Sequence, residues 1–263
     1  MAEHERTQRP VALVTGAASG IGAACVRLIS AEGDAELVMV DRDEEDLAAV
    51  VVTLPRSRDV LTITLDVTDE AGWTRAITRV EDHFGRLDWV VANAGVTFGA
   101  AITDTRLEDW RRVLAINLDG VFLTLRATLP VIRAGGQGGA VVVISSAAGV
   151  KAEPGTGAYG ASKAGALQLA KIAAKEGAPD GIRVNALLPG GVQTPMWHNV
   201  PLFHQLVREQ GSERAAFDAL ARLATPLGRY STAEEMATLV LFLLRDTPTV
   251  TGAALMADGG YTL

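Results

Sequence analysis

Cysteine is almost absent from the sequence, since Cys25 is the only one among 263 residues. A single thiol can form neither an internal disulfide nor a cysteine-rich metal site, so we expect no bound metal. Cys25 falls in the apolar stripe of a helical pattern, which predicts a core position. These features indicate a reducing, cytoplasmic setting.

Clusters of positive charge are also lacking, and the longest basic run is the pair Arg111-Arg112. The chain has 24 Lys and Arg against 31 Asp and Glu, a formal net charge of −7 at pH 7. Proteins that bind nucleic acid need clustered cations to displace counterions from the phosphates. The composition therefore excludes nucleic acid and an anionic membrane surface as expected partners.

Long apolar segments are missing as well. The start, MAEHERTQRP, is polar and lacks the apolar core of a signal peptide. The apolar run that begins at Ala237 stops at Arg245, far short of the about 20 residues that span a bilayer. We therefore expect no membrane association. Apolar residues still make up 48% of the chain, which is enough to fill a sizeable core.

What the sequence does contain is a regular alternation of apolar runs and helical patterns. The runs are rich in Val, Ile and Leu, as expected for strands covered on both faces. They occupy residues 11–15, 37–40, 60–65, 87–92, 140–145, 182–188 and 253–257. Strands that alternate with helices predict right-handed βαβ units. We therefore predict an α/β fold of the Rossmann type, a single domain over residues 1–263 with a doubly wound parallel sheet of about seven strands and helices on both faces.

One region, residues 193–229, breaks this rhythm. It has no strand signal, but it contains two short helical patterns and the aromatic residues Trp197, Phe203 and Phe217. An insertion between the sixth and the last strand would lie over the carboxyl ends of the sheet, where open α/β folds bind ligands. We predict that this insertion forms a lid over a substrate.

A glycine-rich turn, TGAASGIG at residues 15–22, joins the first strand to the first helix. Its glycines let the backbone turn sharply and approach a pyrophosphate, and the helix N-terminus offers free N–H groups. The spacing G-x-x-x-G-x-G differs from the G-x-G-x-x-G fingerprint, but the position predicts a dinucleotide site. The residues predicted to contact the cofactor here are Gly16, Ser19, Gly20, Ile21 and Gly22.

Asp41 ends the second strand, where a carboxylate can accept hydrogen bonds from the adenosine ribose hydroxyls and repel a 2′-phosphate. This favours NAD over NADP as the cofactor. Arg42 follows Asp41 and could offset part of the repulsion.

Polar residues also follow the third and fourth strands. Asp66 and Val67 end the third strand, where the carboxylate could meet the adenine amino group. Asn93 and Gly95 end the fourth strand, and Asn93 could either contact the cofactor or tie two strands together.

Ser146, Tyr159 and Lys163 form the chemical end of the predicted site. Tyr159 and Lys163 are four positions apart in a helical pattern, so they share one face, and Ser146 leaves a strand end nearby. Free tyrosine titrates near pH 10, and a nearby ammonium favours the phenolate. Together with the positive ring of an oxidised nicotinamide, Lys163 could make Tyr159 a general base near neutral pH. Ser145 is the alternative hydroxyl, since only one of two neighbours on a strand can face the cleft.

These motifs, in this order, resemble those of the short-chain dehydrogenase/reductase family, in its single-domain branch. The resemblance covers nearly the whole chain. The matching segments are TGAASGIG at 15–22, Asp41, Asp66-Val67, NAG at 93–95, Asn117, Ser146, YGASK at 159–163, RVN at 183–185, PGGVQT at 189–194 and the C-terminal TGAALMADGG.

The resemblance implies a role for each matching residue. Tyr159 would exchange a proton with the substrate oxygen, Ser146 would hydrogen-bond that oxygen, and Lys163 would hold the nicotinamide ribose. Asn117 would hold a water that links Lys163 to solvent, although a helix–helix hydrogen bond is the alternative. The residues that would frame the nicotinamide carboxamide and the pyrophosphate are Pro189, Gly190, Val192 and Thr194.

Apolar residues predict the kind of substrate. A pocket built from them would suit an apolar, cyclic secondary alcohol or ketone. Together with the resemblance, this predicts an NAD(H)-dependent oxidoreductase that acts on such a substrate. The residues in question are Val96, Phe98, Val150, Met196, Trp197, Phe203 and Phe217, although the last ones could simply pack the lid.

Two other functions stay open. The first is NADPH-dependent reduction of a 3-oxoacyl thioester, for which Lys151 and Arg208 are the nearby cations. The second is a nucleotide-sensing protein without turnover, which the pair Tyr159 and Lys163 argues against. His198 and His204 have no partner at metal-ligand spacing, so we expect them at the surface or in the pocket lining.

The helical patterns at residues 110–133 and 157–177 carry apolar or small residues on more than one face. Such helices need a second surface to cover them. We therefore expect self-association, and the resemblance implies a homotetramer.

Overall fold

The computed structural model describes residues 9–55 and 59–263. Its strands, in chain order, are β1 (Val11–Thr15), β2 (Glu36–Asp41), β3 (Val60–Thr64), β4 (Trp89–Ala92), β5 (Gly139–Ile144), β6 (Ile182–Pro189), β7 (Val192–Gln193), β8 (Ser231–Thr232) and β9 (Ala254–Ala257). Seven of them form one sheet in the order β3-β2-β1-β4-β5-β6-β9, and β7 pairs with β8 separately. Every pairing in the large sheet is parallel. The predicted doubly wound parallel sheet of seven strands is confirmed.

The central strands are covered on both faces, which explains their unbroken apolar sequences. No residue of β1 is more than 2% exposed. β1 pairs with β2 on one side and with β4 on the other, so the chain changes direction across the sheet at this point. In open α/β sheets such a switch point opens a crevice beyond the carboxyl ends of the strands.

Helices pack on both faces of the sheet. They are α1 (Gly20–Glu32), α2 (Glu44–Val51), α3 (Glu70–Phe84), α4 (Leu107–Leu114), α5 (Gly120–Gly135), α6 (Gly157–Gly177), α7 (Pro201–Gln210), α8 (Glu213–Ala224) and α9 (Ala233–Arg245). The first core layer contains apolar side chains from α1, α2 and α9, and the second contains side chains from α3, α5 and α6. Cys25 is 1% exposed in the first layer, in the core position expected from its place in the helical pattern.

α4 and α5 belong to one long helix that is interrupted by a π turn at Ala115–Asp119. In this turn the Gly120 N–H donates to the Ala115 carbonyl, five residues back instead of four. By length and composition alone, the helix Leu107–Gly135 could cross a membrane. The sequence analysis considered only uninterrupted apolar runs, so it did not identify this helix. The buried side chains of α5, such as Val121 and Ile132, belong to the core beneath the sheet.

The insertion at residues 193–229 lies between β7 and β8. It begins with a short 3-10 helix, Pro195–Asn199, and continues into α7 and α8, which correspond to the two predicted helical patterns. Its helices enclose a small apolar core of their own, built around Phe203 and Phe217. Two-residue strands are too short to show a periodic pattern, so the sequence analysis did not predict the β7–β8 pair that closes the insertion.

Candidate active site

A cleft of about 620 Å³ lies at the carboxyl ends of β1, β2, β4, β5 and β6. Sixteen of the residues predicted from the sequence line it: Gly16, Ser19, Gly20, Ile21, Asp41, Asp66, Val67, Asn93, Gly95, Ser146, Tyr159, Lys163, Pro189, Gly190, Val192 and Thr194. Gly22 and Asn117 do not line it, but each contacts a residue of its wall. The fold thus brings together residues from nearly the whole length of the chain.

The glycine-rich turn is shaped by positions where no side chain fits. Gly16 has a φ of +65°, and a Cβ there would lie 2.8 Å from Asn93 Nδ2. A Cβ on Gly22 would lie 2.0 Å from the Gly16 carbonyl oxygen, so only glycine lets α1 start this close to the turn. The resulting backbone cradle at the N-terminus of α1 fits the pyrophosphate of a dinucleotide.

Asn93 ties the end of β4 to this turn. Its side-chain amide donates to the carbonyl oxygens of Thr15 at 2.9 Å and of Gly16 at 3.2 Å. Its backbone N–H donates to Thr15 Oγ1 at 3.0 Å. Asn93 was considered either as a cofactor contact or as a link between two strands. These hydrogen bonds give it the second role, since they connect the ends of β1 and β4.

Asp41 stands at the end of β2, beside the glycine-rich turn. Oδ2 of Asp41 accepts a hydrogen bond from the Ala18 N–H at 3.0 Å, and Oδ1 accepts one from the Asp43 N–H at 3.3 Å. These contacts fix the carboxylate in the cleft wall while each oxygen keeps a lone pair for a further donor. Asp66 is oriented in a similar way, because its Oδ1 accepts from the backbone and hydroxyl of Thr68.

The two neighbouring serines have different environments. Ser145 is 2% exposed, and its hydroxyl donates to the Lys163 carbonyl at 2.8 Å, so it ties β5 to α6. The Ser146 hydroxyl accepts from the Ala148 N–H at 3.1 Å and hydrogen-bonds the Tyr159 hydroxyl. Of the two hydroxyls, the one on Ser146 stands next to the phenol.

Lys163 is held in place from below the cleft. It is 4% exposed, and its Nζ donates to the Ile144 carbonyl at 2.9 Å, which leaves two further N–H donors. Its Nζ is 5.9 Å from the centroid of the half-buried Tyr159 ring. Tyr159 and Lys163 therefore share one face of α6, as their spacing predicts.

Burial dominates the titration of both groups. It raises the pKa of Tyr159, and the hydrogen bond with Ser146 opposes this only in part. Burial also lowers the pKa of Lys163 to about 8. The sequence analysis expected Lys163 and an oxidised nicotinamide ring together to lower the pKa of Tyr159. In the structure, desolvation of the phenolate dominates and raises this pKa.

Asn117 sits in the π turn and is completely buried. Its Oδ1 accepts from the Val96 N–H at 2.8 Å, and its Nδ2 donates to the Val96 carbonyl at 2.9 Å and to Ser162 Oγ at 3.1 Å. The last contact is the helix–helix hydrogen bond considered as an alternative. A Cβ on Gly95 would lie 3.2 Å from Asn117 Oδ1 and 3.4 Å from Lys163 Nζ, so the glycine leaves a gap that both polar groups border.

The apolar wall of the cleft only partly follows the prediction. Val96, Met196 and Trp197 line it, whereas Phe98, Val150, Phe203 and Phe217 do not. Phe203 and Phe217 face each other at 4.6 Å inside the core of the insertion, so they pack the insertion itself. An amphipathic pattern predicts that a side chain is buried, but it does not show whether the side chain packs inside the insertion or faces the cleft.

The histidines of the insertion lie away from the lining. His198 Nε2 contacts Glu213 Oε1 at 3.0 Å, and His204 Nε2 contacts the His198 carbonyl oxygen at 2.7 Å. Both histidines and Arg208 lie outside the cleft lining. Lys151, the other cation considered, donates to the Tyr261 carbonyl at 2.8 Å and pairs with Glu153 at 3.1 Å.

Two tyrosines in the lining were missed by sequence reasoning. Tyr230 precedes β8, and Tyr261 follows β9. Neither belongs to a motif with Tyr159, and only the fold brings these distant positions to one cleft. The only available signal was the rarity of tyrosine. The chain has just three tyrosines, and all of them line this cleft.

Known proteins match this chain along its length. Residues 16–262 match the family described as Enoyl-(Acyl carrier protein) reductase, a family of the short-chain dehydrogenase/reductase type. The 3-oxoacyl-[acyl-carrier-protein] reductase FabG of Thermotoga maritima is 37% identical, with 98% of this chain and 100% of the relative covered. The trans-4-hydroxycyclohexanecarboxylate dehydrogenase of Sinomonas cyclohexanicum is 35% identical, over 98% of this chain and 95% of the relative.

A solved structure agrees with this assignment. The carveol dehydrogenase from Mycobacterium avium, in complex with NAD, has a TM-score of 0.88 and 34% identity, over 98% of this chain and 99% of that one. Such coverage and identity leave no large part of the fold without a counterpart. The chain therefore belongs to the short-chain dehydrogenase/reductase family and is an NAD(P)-dependent alcohol dehydrogenase or ketone reductase.

Proposed function

We propose that this protein is an NAD(H)-dependent oxidoreductase that interconverts an apolar, cyclic secondary alcohol and its ketone. The observation that carries the proposal is the grouping of Ser146, Tyr159 and Lys163 at the end of β5, beside an apolar wall formed by Val96 and Trp197. A hydroxyl pair and a buried ammonium can polarise one oxygen of a substrate, while the apolar wall accepts its ring.

The cleft has the features that a nicotinamide dinucleotide needs. The glycine-rich turn would hold the pyrophosphate and Asp41 the adenosine ribose, while Asp66 and Val67 would border the adenine. The far end would be framed by Pro189, Gly190, Val192 and Thr194, with Asn93 and Gly95 along the edge of β4. When bound, such a cofactor accepts or donates a hydride at the nicotinamide ring.

The side chains of the protein would handle the proton and the orientation. The Tyr159 hydroxyl would give its proton to the substrate oxygen during reduction and take it back during oxidation. Ser146 would donate a hydrogen bond to the same oxygen, and Lys163 would use its two remaining donors on the nicotinamide ribose. Asn117 would hold a water beside Gly95 that links Lys163 to solvent, since both polar groups border that gap.

Asp41 favours NAD over NADP. Its carboxylate faces the place where a 2′-phosphate would lie, and two negative groups at close range repel each other. Arg42 is exposed and also lines this end of the cleft, so part of the repulsion can be offset. The carveol dehydrogenase structure, which contains NAD, is consistent with this preference.

A thermal-shift comparison of NAD and NADP tests the cofactor, because a ligand that binds only the folded state raises the melting temperature. A screen of cyclic secondary alcohols, followed by NADH absorbance, then tests the reaction. We expect a larger shift with NAD and measurable oxidation of unsubstituted or alkyl-substituted cyclohexanols. Failure to oxidise any cyclic alcohol with either cofactor would refute the proposed reaction.

The similarity to a 3-oxoacyl reductase favours one second candidate, reduction of a 3-oxoacyl thioester with NADPH. A carrier-bound substrate needs cations at the rim for the carrier phosphate. Lys151 is already paired with Glu153, and Arg208 lies outside the lining. Turnover of a 3-oxoacyl thioester with NADPH that exceeds oxidation of every cyclic alcohol would favour this candidate.

We further propose that the protein is a cytoplasmic homotetramer and that the 193–229 insertion acts as a lid for its substrate. Apolar side chains on the long helices support the assembly, since Leu107, Phe122 and Ile172 are 59%, 45% and 44% exposed. Exposed apolar surface on helices favours burial against another copy. Light scattering that gives the mass of a monomer would contradict it.

A further inference from the structure

Tyr230 is held rigidly in the wall of the cleft. Its ring covers Gly191, where a Cβ would lie 2.4 Å from the ring carbons. The ring also stacks on Trp197, with 5.6 Å between the ring centroids and 23° between the planes. The residue is only 7% exposed, although it lines the cleft. A ring fixed in this way presents its hydroxyl in one defined direction.

The hydroxyl of Tyr230 is a free donor. Among residues 9–55 and 59–263, no side chain or backbone group hydrogen-bonds it. Burial raises its pKa, so it stays a neutral phenol across the physiological range. Its oxygen is open to the cleft, so a ligand bound there can accept its hydrogen bond.

Tyr261 offers the contrast within the same cleft. Burial, together with the hydrogen bond that its hydroxyl donates to Glu153, raises the pKa of Tyr261 to about 12. Lys151 Nζ lies 3.7 Å from the centroid of the Tyr261 ring and donates to its carbonyl. Tyr261 is therefore fully engaged within the protein, whereas Tyr230 is not.

The charges around Tyr230 select the kind of group it would bind. In the described chain, the cations that line the cleft are Lys163, which is committed to the reacting end, and Arg42, next to Asp41 at the adenosine end. Lys151 is paired with Glu153, whose carboxylate lies near Tyr261. An anionic substituent would find no unpaired cation here, so a neutral acceptor is favoured.

We propose that the Tyr230 hydroxyl donates a hydrogen bond to a second, neutral oxygen of the substrate, remote from the carbon that is oxidised or reduced. The substrate class is then a cyclic compound with two oxygen functions, a diol, a hydroxyketone or a diketone, rather than a simple alcohol or a carboxylate. This inference rests on the proposed function, since it names the substrate class of the same site.

The experiment compares substrate preference in the wild type, Tyr230→Phe and Tyr261→Phe. For each protein, kcat/KM is measured for positional isomers of cyclohexanediol and for cyclohexanol, and the ratio of the two is taken. A neutral hydrogen bond contributes about 0.5–1.5 kcal/mol, so Tyr230→Phe should lower this ratio about two- to thirteenfold for the preferred isomer. Tyr261→Phe, which removes a hydroxyl bound to Glu153, should leave the ratio near that of the wild type.

Calorimetric titration of the NADH-bound proteins with the same alcohols gives a ratio of dissociation constants that does not depend on turnover. A ratio that is unchanged in Tyr230→Phe overturns the inference, even where cyclohexanol is oxidised normally. Tighter binding of 4-hydroxycyclohexanecarboxylate than of every diol overturns the preference for a neutral group. If the dissociation constants shift as expected but no alcohol is oxidised, the Tyr230 contact stands and the proposed reaction falls.

Discussion

At the scale of single residues, burial moves the pKa values of Tyr159 and Lys163 in opposite directions. The anion of one and the cation of the other are both disfavoured in the cleft wall, so the phenol titrates higher and the ammonium titrates at about 8. At neutral pH the phenol keeps its proton and Lys163 is mostly charged. Reduction of a ketone uses that proton, whereas oxidation of an alcohol needs the phenolate.

Replacement of Tyr159 by Phe removes the proton donor but keeps the ring. We expect turnover to fall by about 10²- to 10⁴-fold, the usual contribution of a general acid or base, while NADH affinity changes little. Steady-state kinetics and a thermal shift with NADH measure the two quantities. Ser145→Ala is the matched control, because it removes a nearby hydroxyl that bonds only the Lys163 carbonyl. Equal losses in both variants would contradict the assignment.

Asp41→Asn removes a charge but keeps an oxygen that can accept from the Ala18 N–H. Loss of the repulsion should raise the ratio of kcat/KM with NADP to that with NAD, on the order of tenfold. Asp43→Asn is the control, since it removes a neighbouring charge and Asn caps α2 about as well as Asp. A similar change of cofactor preference in both variants would point to the overall field of the cleft instead of Asp41.

Gly95→Ala places a methyl group in the gap between Asn117 Oδ1 and Lys163 Nζ. The Cβ distances of 3.2 and 3.4 Å are tight for carbon, so the methyl group would crowd both polar groups and displace a water that bridges them. If that water relays protons, the variant should lose turnover while its affinity for NADH stays close to that of the wild type. Turnover equal to the wild type would remove the water link from the proposed mechanism.

At the scale of elements, close approach of α1 to the glycine-rich turn is the tightest constraint on the cleft. Gly22→Ala would push a methyl group to 2.0 Å from the Gly16 carbonyl oxygen. Overpacking of this kind typically costs about 1–3 kcal/mol, and here it also displaces the pyrophosphate cradle. Melting temperature and NAD affinity should both fall.

Gly135→Ala is the matched control for Gly22→Ala. Gly135 also lies in a helix, α5, but nothing comes within 4 Å of its added Cβ. Because Ala is a better helix former than Gly, stability should stay equal or rise slightly. Equal destabilisation of the two variants would show that the contact with the Gly16 carbonyl oxygen is not what makes Gly22→Ala costly.

The sequence predicts those elements whose signals are local. The glycine-rich turn and the pair Tyr159 and Lys163 each lie within eight residues, so spacing alone indicates their geometry. Tyr230 and Tyr261 escape prediction because their meeting depends on the fold. The π turn escapes for another reason: its extra residue leaves the apolar pattern on either side intact.

At the scale of the whole molecule, Lys163 couples stability to pH. Its pKa is about 8 in the folded protein and near 10.5 in an unfolded chain, so between these values the unfolded state binds more protons. The free energy of unfolding should therefore gain up to about 3 kcal/mol from this group as the pH rises through that window. Cys25 works against it, since burial raises the pKa of its thiol to about 12.

A comparison with Lys163→Met isolates the contribution of the lysine, because Cys25 titrates in both proteins. As the pH rises from about 8 to about 10.5, the melting temperature of the wild type should increase relative to that of Lys163→Met. Differential scanning fluorimetry at several pH values measures it. A difference that is independent of pH would show that Lys163 keeps its ordinary pKa in the folded protein.

The π turn at Ala115–Asp119 has a consequence for the tolerance of this chain to insertions and deletions. Each residue of a helix advances it by about 100°, so deletion of one residue here would restore a regular spiral and rotate α4 by that angle. Val113, which is fully buried, would then turn towards solvent. Homologous chains with this cleft should therefore vary in length at surface loops, but not between Leu107 and Gly135.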